Sequence, residues 1–257
     1  MCILGFGREG QSTYHAIRKV LPELKIQICD QTIPSQLILD VITMDKNVTF
    51  YFGDQYLQQI NESDMIVKTP GIPLRVLNHT MLQNKLVSQT ELFLKLYSRQ
   101  VIGITGTKGK STTSSLLHHI FSQAGKNVIL VGNIGVPPLD LIGEIQEDTI
   151  IVFEMSSHQL ETCTVSPHVS VLLNIFQEHL DHYDSYRHYQ YAKMNIAKWQ
   201  GRGDYFIFNP LNDIIPGLVD EFSTSAKQWF IGSQDGAGNK VFCRGDDLVI
   251  FLSLIHI

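Results

Sequence analysis

Val101-Ile102-Gly103-Ile104-Thr105-Gly106-Thr107-Lys108-Gly109-Lys110-Ser111-Thr112-Thr113 is the stretch from which the rest of the chain can be read. An apolar run at 101–104 opens into a glycine-rich loop. The loop feeds a helical pattern with Leu116, Leu117, Ile120, Phe121 and Ala124 on one face and Gly125 as its stop. Strand, glycine loop and helix N-terminus in that order make a phosphate cradle, because glycines let backbone N–H groups converge on an anion at the positive end of the helix. In such a loop Lys110 reaches the β- and γ-phosphates of a triphosphate and the Ser111 hydroxyl ligates Mg²⁺. The strict G-x-x-x-x-G-K-[ST] pattern wants glycine where Ile104 stands, with Gly103 and Gly106 to either side, so this is a variant P-loop. The bland alternative is a glycine-rich turn that merely starts a helix. Packing needs alone do not call for Gly109-Lys110-Ser111-Thr112-Thr113.

Downstream, residues 127–131 read as a buried strand, followed by Gly132-Asn133-Ile134-Gly135. Residues 149–154 form an apolar strand that delivers Glu154 at its C-terminal end, where P-loop proteins commonly place the acid that helps hold Mg²⁺. A capping or solvated acid is the alternative. Another strand at 169–174 precedes His179, His182 and His188, whose spacing tempts a zinc reading. It is not that of H-E-x-x-H, and no nearby cysteine completes a tetrahedral set. One histidine beside Glu154 touching Mg²⁺ fits better, although imidazole is not a preferred magnesium ligand. Residues 186–199 read as a helix bearing Tyr189, Lys193 and Ile196, where a lone lysine is expected to be a solvated surface charge. After a strand at 205–209, short strands at 228–231, 240–243 and 247–251, parted by Gly, Asp and Asn, predict hairpins.

Upstream, a short apolar strand runs into Gly5-Phe6-Gly7-Arg8-Glu9-Gly10, a literal G-x-G-x-x-G, then a helix at 12–20 and a strand at 26–29 ending in Asp30. An acid about 20 residues past the last glycine is the spacing of a dinucleotide fingerprint. Three readings stand here: NAD, a tight strand–helix turn, or another nucleotide on the same scaffold. The P-loop downstream favours the last. Strands at 48–52 and 65–68 follow, then Thr69-Pro70-Gly71-Ile72-Pro73, a rigid turn at a strand end where ligands of open α/β sheets gather. A strand and helix at 87–97 lead into a second domain. Strands alternating with helices predict an α/β chain: a Rossmann-like domain at 1–98, then a P-loop domain with a mainly parallel sheet at 99–257.

The 257 residues are enough for one large or two ordinary domains, and 44% hydrophobic with 18% charged residues describes a globular protein. A net charge of −5 offers no basic surface for nucleic acid. Cys2, Cys29, Cys163 and Cys243 are far apart and form no CxxC pair, as in a reducing compartment. No apolar run approaches the ~20 residues of a membrane span, and no basic n-region marks a signal peptide. A cytoplasmic monomer is expected.

Five motifs in order resemble the Mur ligase family over essentially the whole chain: the loop at 103–113, Gly132-Asn133-Ile134-Gly135, Glu154-Met155-Ser156-Ser157-His158-Gln159-Leu160-Glu161, Asn174 with Glu178-His179-Leu180-Asp181-His182-Tyr183, and Tyr189-Gln190-Tyr191-Ala192-Lys193. Within the family the likeness is greatest to the member that joins D-glutamate to UDP-N-acetylmuramoyl-L-alanine. The resemblance implies that Gly5, Gly7, Arg8, Glu9, Gly10, Gln11, Ser12, Asp30, Gln31, Pro70, Gly71 and Ser156 meet the UDP-sugar peptide. It implies ATP on Gly106, Thr107, Lys108, Gly109, Lys110, Ser111 and Thr112. Mg²⁺ would be held by Ser111, Glu154, His179 and a carbamylated Lys193, with Asn133 near the phosphoryl group. Lys110, Asn133, His179 and Lys193 are then the catalytic set. The implied chemistry converts a carboxylate to an acyl phosphate at the expense of ATP, followed by attack of an amine. The resemblance also implies a third, C-terminal domain, expected to lie beyond this sequence, and Leu252-Ser253-Leu254-Ile255-His256-Ile257 reads as translated sequencing adapter. The chain alone is therefore expected to be an inactive fragment. Competing readings are a sister Mur or folylpolyglutamate-type ligase, a nucleotide-binding module without chemistry, and an NAD-dependent oxidoreductase.

Overall fold

The computed structural model describes residues 1–77, 82, 84–231, 239–244 and 247–251. The expectation for 252–257 lies outside these residues. The first sheet comprises β1 (Cys2–Leu4), β2 (Ile26–Asp30), β3 (Val48–Phe52), β4 (Ile66–Lys68) and β5 (Leu86–Val87), in the order β3-β2-β1-β4-β5 and parallel throughout. Strand order reverses between β1 and β4, which leaves a crevice beyond their C-terminal ends, the usual ligand position in open parallel sheets. Helix α1 (Arg8–Val20) follows β1 and α2 (Gln36–Thr43) follows β2.

Helix α1 starts four residues earlier than its apolar pattern predicts. Gly10 lies inside its first turn, and a Cβ there would sit 2.1 Å from the Gly5 carbonyl oxygen. Gly5 itself has φ +92°, and a side chain on it would run into Thr69. The two glycines let β1 turn directly into a helix that packs close behind it.

Helix α3 (Gln89–Tyr97), capped by the Ser88 hydroxyl, leads to the second sheet. That sheet has eight strands: β6 (Val101–Thr105), β7 (Val128–Gly132), β8 (Ile150–Glu154), β9 (Val169–Leu172), β10 (Tyr205–Phe208), β11 (Lys227–Ile231), β12 (Asn239–Arg244) and β13 (Asp247–Phe251). Their order is β13-β12-β11-β10-β9-β6-β8-β7, and only the β12–β13 pair is antiparallel. The hairpins expected after residue 228 are thus corrected: β11 and β12 join in parallel, and one hairpin closes the edge. A parallel return needs a crossover. Helix α7 (Ile215–Phe222), which the sequence reading passed over, supplies it between β10 and β11.

One face of this sheet carries the larger core. Phe93, Phe153, Tyr189, Ile196 and Phe206 are fully buried there beneath α3, α5 (Ser157–Leu160), α6 (Tyr186–Lys198) and α7. Phe93 meets Phe153 edge-on at 5.8 Å. Burial of side chains this size is worth about 1.5–3 kcal/mol each. The opposite face is covered by α4 (Lys110–Gln123), where Leu117 and Phe121 pack on Ile104, Val152 and Val171. Leu116 and Ile120 of α4 are more than half exposed, so the single apolar face read from the sequence is narrower than its periodicity. Strand β7 lies at the sheet edge, and Val128, Ile129 and Leu130 are only half-buried rather than core. Cys2, Cys29 and Cys163 are buried free thiols. Among the described residues, no helix is long and apolar enough to cross a membrane.

Candidate functional site

The turn between β6 and α4 is held from behind by residues distant in sequence. The Asn174 Oδ1 accepts from the Lys108 N–H at 2.9 Å and its Nδ2 donates to the Lys108 carbonyl at 3.1 Å. The Thr107 N–H donates to the Asn174 carbonyl at 3.0 Å. Thr107 points inward, its Oγ1 2.8 Å from the Tyr189 hydroxyl and accepting from the Phe176 N–H at 2.9 Å. Gly109, with φ +84°, caps α4. The loop's N–H groups and the positive helix end therefore face the crevice beyond β6 and β8. Lys108 is exposed and paired with Glu178 at 2.9 Å, while Ser111 and Thr112 are exposed in the first turn of α4. Glu178 is held below the usual carboxylate range chiefly by that bond from Lys108.

Two lysines converge on one carbonyl oxygen. Lys110 Nζ donates to Gly106 O at 2.9 Å and Thr107 O at 3.0 Å. Lys193 Nζ, reaching from α6, donates to the same Gly106 O at 2.9 Å. Lys193 is 1% exposed, which corrects the expectation of a solvated surface lysine. Burial, and next the neighbouring Lys110 charge, push its amine down to about 7. Burial lowers Lys110 too, against the pull of Glu154 and Glu178.

Glu154 ends β8 fully buried. Its Oε1 accepts from Asn133 Nδ2 at 2.9 Å, and the Asn133 N–H donates to the Glu154 carbonyl at 3.0 Å. This close approach of the turn after β7 depends on Gly132, where a Cβ would lie 2.3 Å from the Glu154 carbonyl oxygen. The second carboxylate oxygen, Oε2, is buried and has no partner. A buried anionic oxygen left bare is costly unless a cation or donor completes it. An oxygen donor of this kind, with the Ser111 hydroxyl, suits Mg²⁺, which keeps several waters and needs few protein ligands. His179 stands at φ +59°, 3.5 Å from Glu178 and packed on the His158 ring at 4.8 Å. His182 turns to Glu161 and His188 to Asp184. Among the described residues, no three His, Cys, Asp or Glu side chains converge to hold a metal.

The G-x-G-x-x-G turn opens on a separate cavity of about 520 Å³ at the β1–β4 crevice. Gly5, Gly7, Arg8, Glu9, Asp30 and Gln31 line it together with the expected turn from Thr69 to Pro73, as do Thr32 and Tyr56, which the sequence reading missed. The Asp30 carboxylate is turned to its own chain, accepting from the N–H groups of Phe6 and Thr32. Arg8 reaches across to the Gly135 carbonyl at 2.7 Å, and Glu9 accepts from Gln159 Nε2 at 2.6 Å. Burial raises Glu9 above the usual carboxylate range. Of the remaining candidates, Gln11 holds the Phe6 carbonyl and Ser12 is buried within α1. Ser156 caps α5 in a reciprocal pair with Gln159. Tyr189 and Asn174 stood inside quoted motifs, but nothing local in the sequence marks them as partners of a loop 82 and 66 residues away.

The folded chain is thus a pair of mainly parallel α/β sheets, with a variant P-loop on the second and a glycine-turn cavity on the first. The Mur ligase middle domain family matches residues 104–248. The chain is 31% identical over 253 residues to the UDP-N-acetylmuramoylalanine–D-glutamate ligase of Clostridioides difficile, covering 96% of this chain and 55% of that protein. It is 30% identical over 269 residues to the ligase of the same name from Clostridium acetobutylicum, covering 96% of this chain and 57% of that one. Among solved structures, the UDP-N-acetylmuramate:L-alanyl-gamma-D-glutamyl-meso-diaminopimelate ligase from Neisseria meningitides superposes with a TM-score of 0.55 at 18% identity, over 98% of this chain and 83% of that one. The chain belongs to the Mur ligase family. It spans about half the length of the curated relatives it matches.

Proposed function

We propose that this chain carries the UDP-sugar-peptide and ATP sites of an ATP-dependent amide ligase of peptidoglycan precursor synthesis, acting in the cytoplasm, with residues 1–98 and 99–257 as the two substrate-binding domains. The observation that carries the reading is the bare, buried Oε2 of Glu154 at the crevice onto which the Lys110 loop opens. A loop of N–H donors, a lysine and an unsatisfied carboxylate suit a metal-bound triphosphate better than a dinucleotide. The names of the two clostridial relatives make UDP-N-acetylmuramoyl-L-alanine and D-glutamate the substrates of choice.

In this reading a substrate carboxylate takes the γ-phosphoryl group of ATP, and the amine of D-glutamate then displaces phosphate to give an amide. A bound Mg²⁺ would neutralise phosphate charge, held by Glu154 Oε2 and Ser111. Lys110 leaves the loop carbonyls for the phosphates and stabilises charge developing on them. Asn133 orients Glu154 by occupying its other oxygen. Lys193, its amine lowered to about 7 by burial, would as a carbamate present an anion in place of a buried cation and so help hold Mg²⁺, and His179 stands beside Glu178. Calorimetric titration of the 257-residue protein with Mg-ATP, with UDP-N-acetylmuramoyl-L-alanine and with NAD tests the reading. Saturable binding of the first two is expected, and binding of NAD alone would sink it. Amino-acid-dependent ADP release by a full-length protein carrying this chain would decide the D-glutamate assignment.

A further inference from the structure

The seam between the two sheets is polar and buried, and one short segment of it faces both walls of the first cavity. Helix α5 and its C-cap present Gln159 and Glu161. Gln159 holds Glu9, on the α1 wall. Glu161 meets Lys68, at the end of β4, with Oε2 3.4 Å from Nζ. Lys68 is 2% exposed and donates to the Ile72 carbonyl at 2.7 Å and the Thr69 carbonyl at 3.3 Å, so it staples the residue 69–73 turn that forms the opposite wall. The same Glu161 Oε2 lies 3.4 Å from His182 Nε2. The His182 N–H in turn donates to the His179 carbonyl at 3.1 Å, and the His182 ring packs on His158 at 4.0 Å. One carboxylate therefore joins the wall of the first cavity to the strained segment that bears His179.

We propose that Glu161 is a positioning residue that couples the two sites, transmitting occupancy of the first cavity through Lys68 and His182 to the placement of His179 beside the P-loop. The proposal rests on the ligase reading for the identity of the two ligands. A lysine this deeply buried has no solvent to fall back on, so a ligand that shifts the 69–73 turn must carry Lys68 with it. Lys68 cannot move without Glu161, because separating them leaves a buried charge alone. The effect is reciprocal: whatever factor the first ligand imposes on the second, the second imposes on the first.

The test is a thermodynamic box on the 257-residue protein, with UDP and the non-hydrolysable analogue Mg-AMPPNP as probes. Each dissociation constant is measured with and without saturating amounts of the other. The wild type is expected to show the same coupling factor in both directions, at least about fivefold. Glu161→Gln is expected to bring that factor below about twofold while leaving each separate affinity within about threefold, a split that loss of stability alone does not produce. The Lys68→Met/Glu161→Met variant, which removes both members of the pair together, is expected to behave alike and covers the case in which Glu161→Gln fails to fold. If both probes bind but show no coupling, or the coupling survives both variants, Glu161 is only a structural contact and the proposal falls by itself. Failure of UDP or Mg-AMPPNP to bind the folded wild type would overturn the ligase reading, and the coupling with it.

Discussion

At the ends of β1 and β6 the chain does the same thing twice: a buried parallel strand, a glycine-bearing turn, and a helix whose N-terminus faces the crevice. The side chains around the two turns are used differently. In the first, Asp30 and Gln11 clamp Phe6 from both sides, while Arg8 and Glu9 reach over to the second sheet. Among the described residues no lysine lines the mouth, so an anion there depends on N–H groups, the helix end and an exposed arginine. In the second turn the clamps come from Asn174 and Tyr189, and two lysines and a carboxylate stand at the mouth. A glycine pattern thus specifies a turn, and the charges around it specify what the turn can bind.

The largest expected effect follows from that contrast. Lys110→Met should weaken Mg-ATP binding by about a hundredfold or more in calorimetry and leave binding at the first cavity unchanged. Equal losses at both sites would show that the turns do not work separately. Gly10→Ala makes the reciprocal cut. Its Cβ would lie 2.1 Å from a backbone oxygen, so it should destabilise the protein by about 1–3 kcal/mol in denaturant unfolding and abolish UDP-ligand binding before Mg-ATP binding.

The pH dependence of stability sharpens the comparison further. Burial works against ionised Asp45, in the turn before β3, but Arg18, the Asn47 N–H and Tyr14 bring its carboxyl below the usual range. In the turn before β10, burial is likewise outweighed for Asp204 by His168, the Gly201 N–H and Arg99. A depressed carboxyl contributes stability that is present above its unfolded value, about 4, and is lost as pH falls through the folded one. Asp45→Asn and Asp204→Asn should each cost about 1–2 kcal/mol at pH 7, with the gap to wild type closing towards pH 3. The smallest effect is expected from Tyr189→Phe. Thr107 Oγ1 keeps the Phe176 N–H, so about 1 kcal/mol and a fivefold loss of Mg-ATP affinity should follow, with the first cavity untouched.

The two turns were also unequally legible. The P-loop announces itself because its strand, glycines, lysine and hydroxyl are contiguous. The first cavity draws on Gly5, residues 7–9, 30–32, 56, 69–73 and 76, and only the glycines, Asp30 and the 69–73 turn carry a local pattern. Lys193 read as a surface charge because what surrounds it, Gly106 and the Tyr189 ring, comes from another loop and from its own helix seen edge-on. Leu116 and Ile120 misled in the opposite sense: helical spacing records which residues could face a core, and in α4 Leu117 and Phe121 take the sheet side while Leu116 and Ile120 stay exposed. The parallel joining of β11 was hidden because Pro210 and Pro216 made the crossover look like loop, although Pro216 sits in the first turn of α7, where proline is tolerated.

The Gly106 carbonyl has a further bearing on how quickly the loop can be filled. With both amines resting on a neutral oxygen, neither is locked in an ion pair that an arriving phosphate must break. Lys110 exchanges a weaker acceptor for a stronger one. Carbonyl oxygens rather than a carboxylate hold Lys110 over the loop, so its amine can pass to a phosphate without an ion pair being broken.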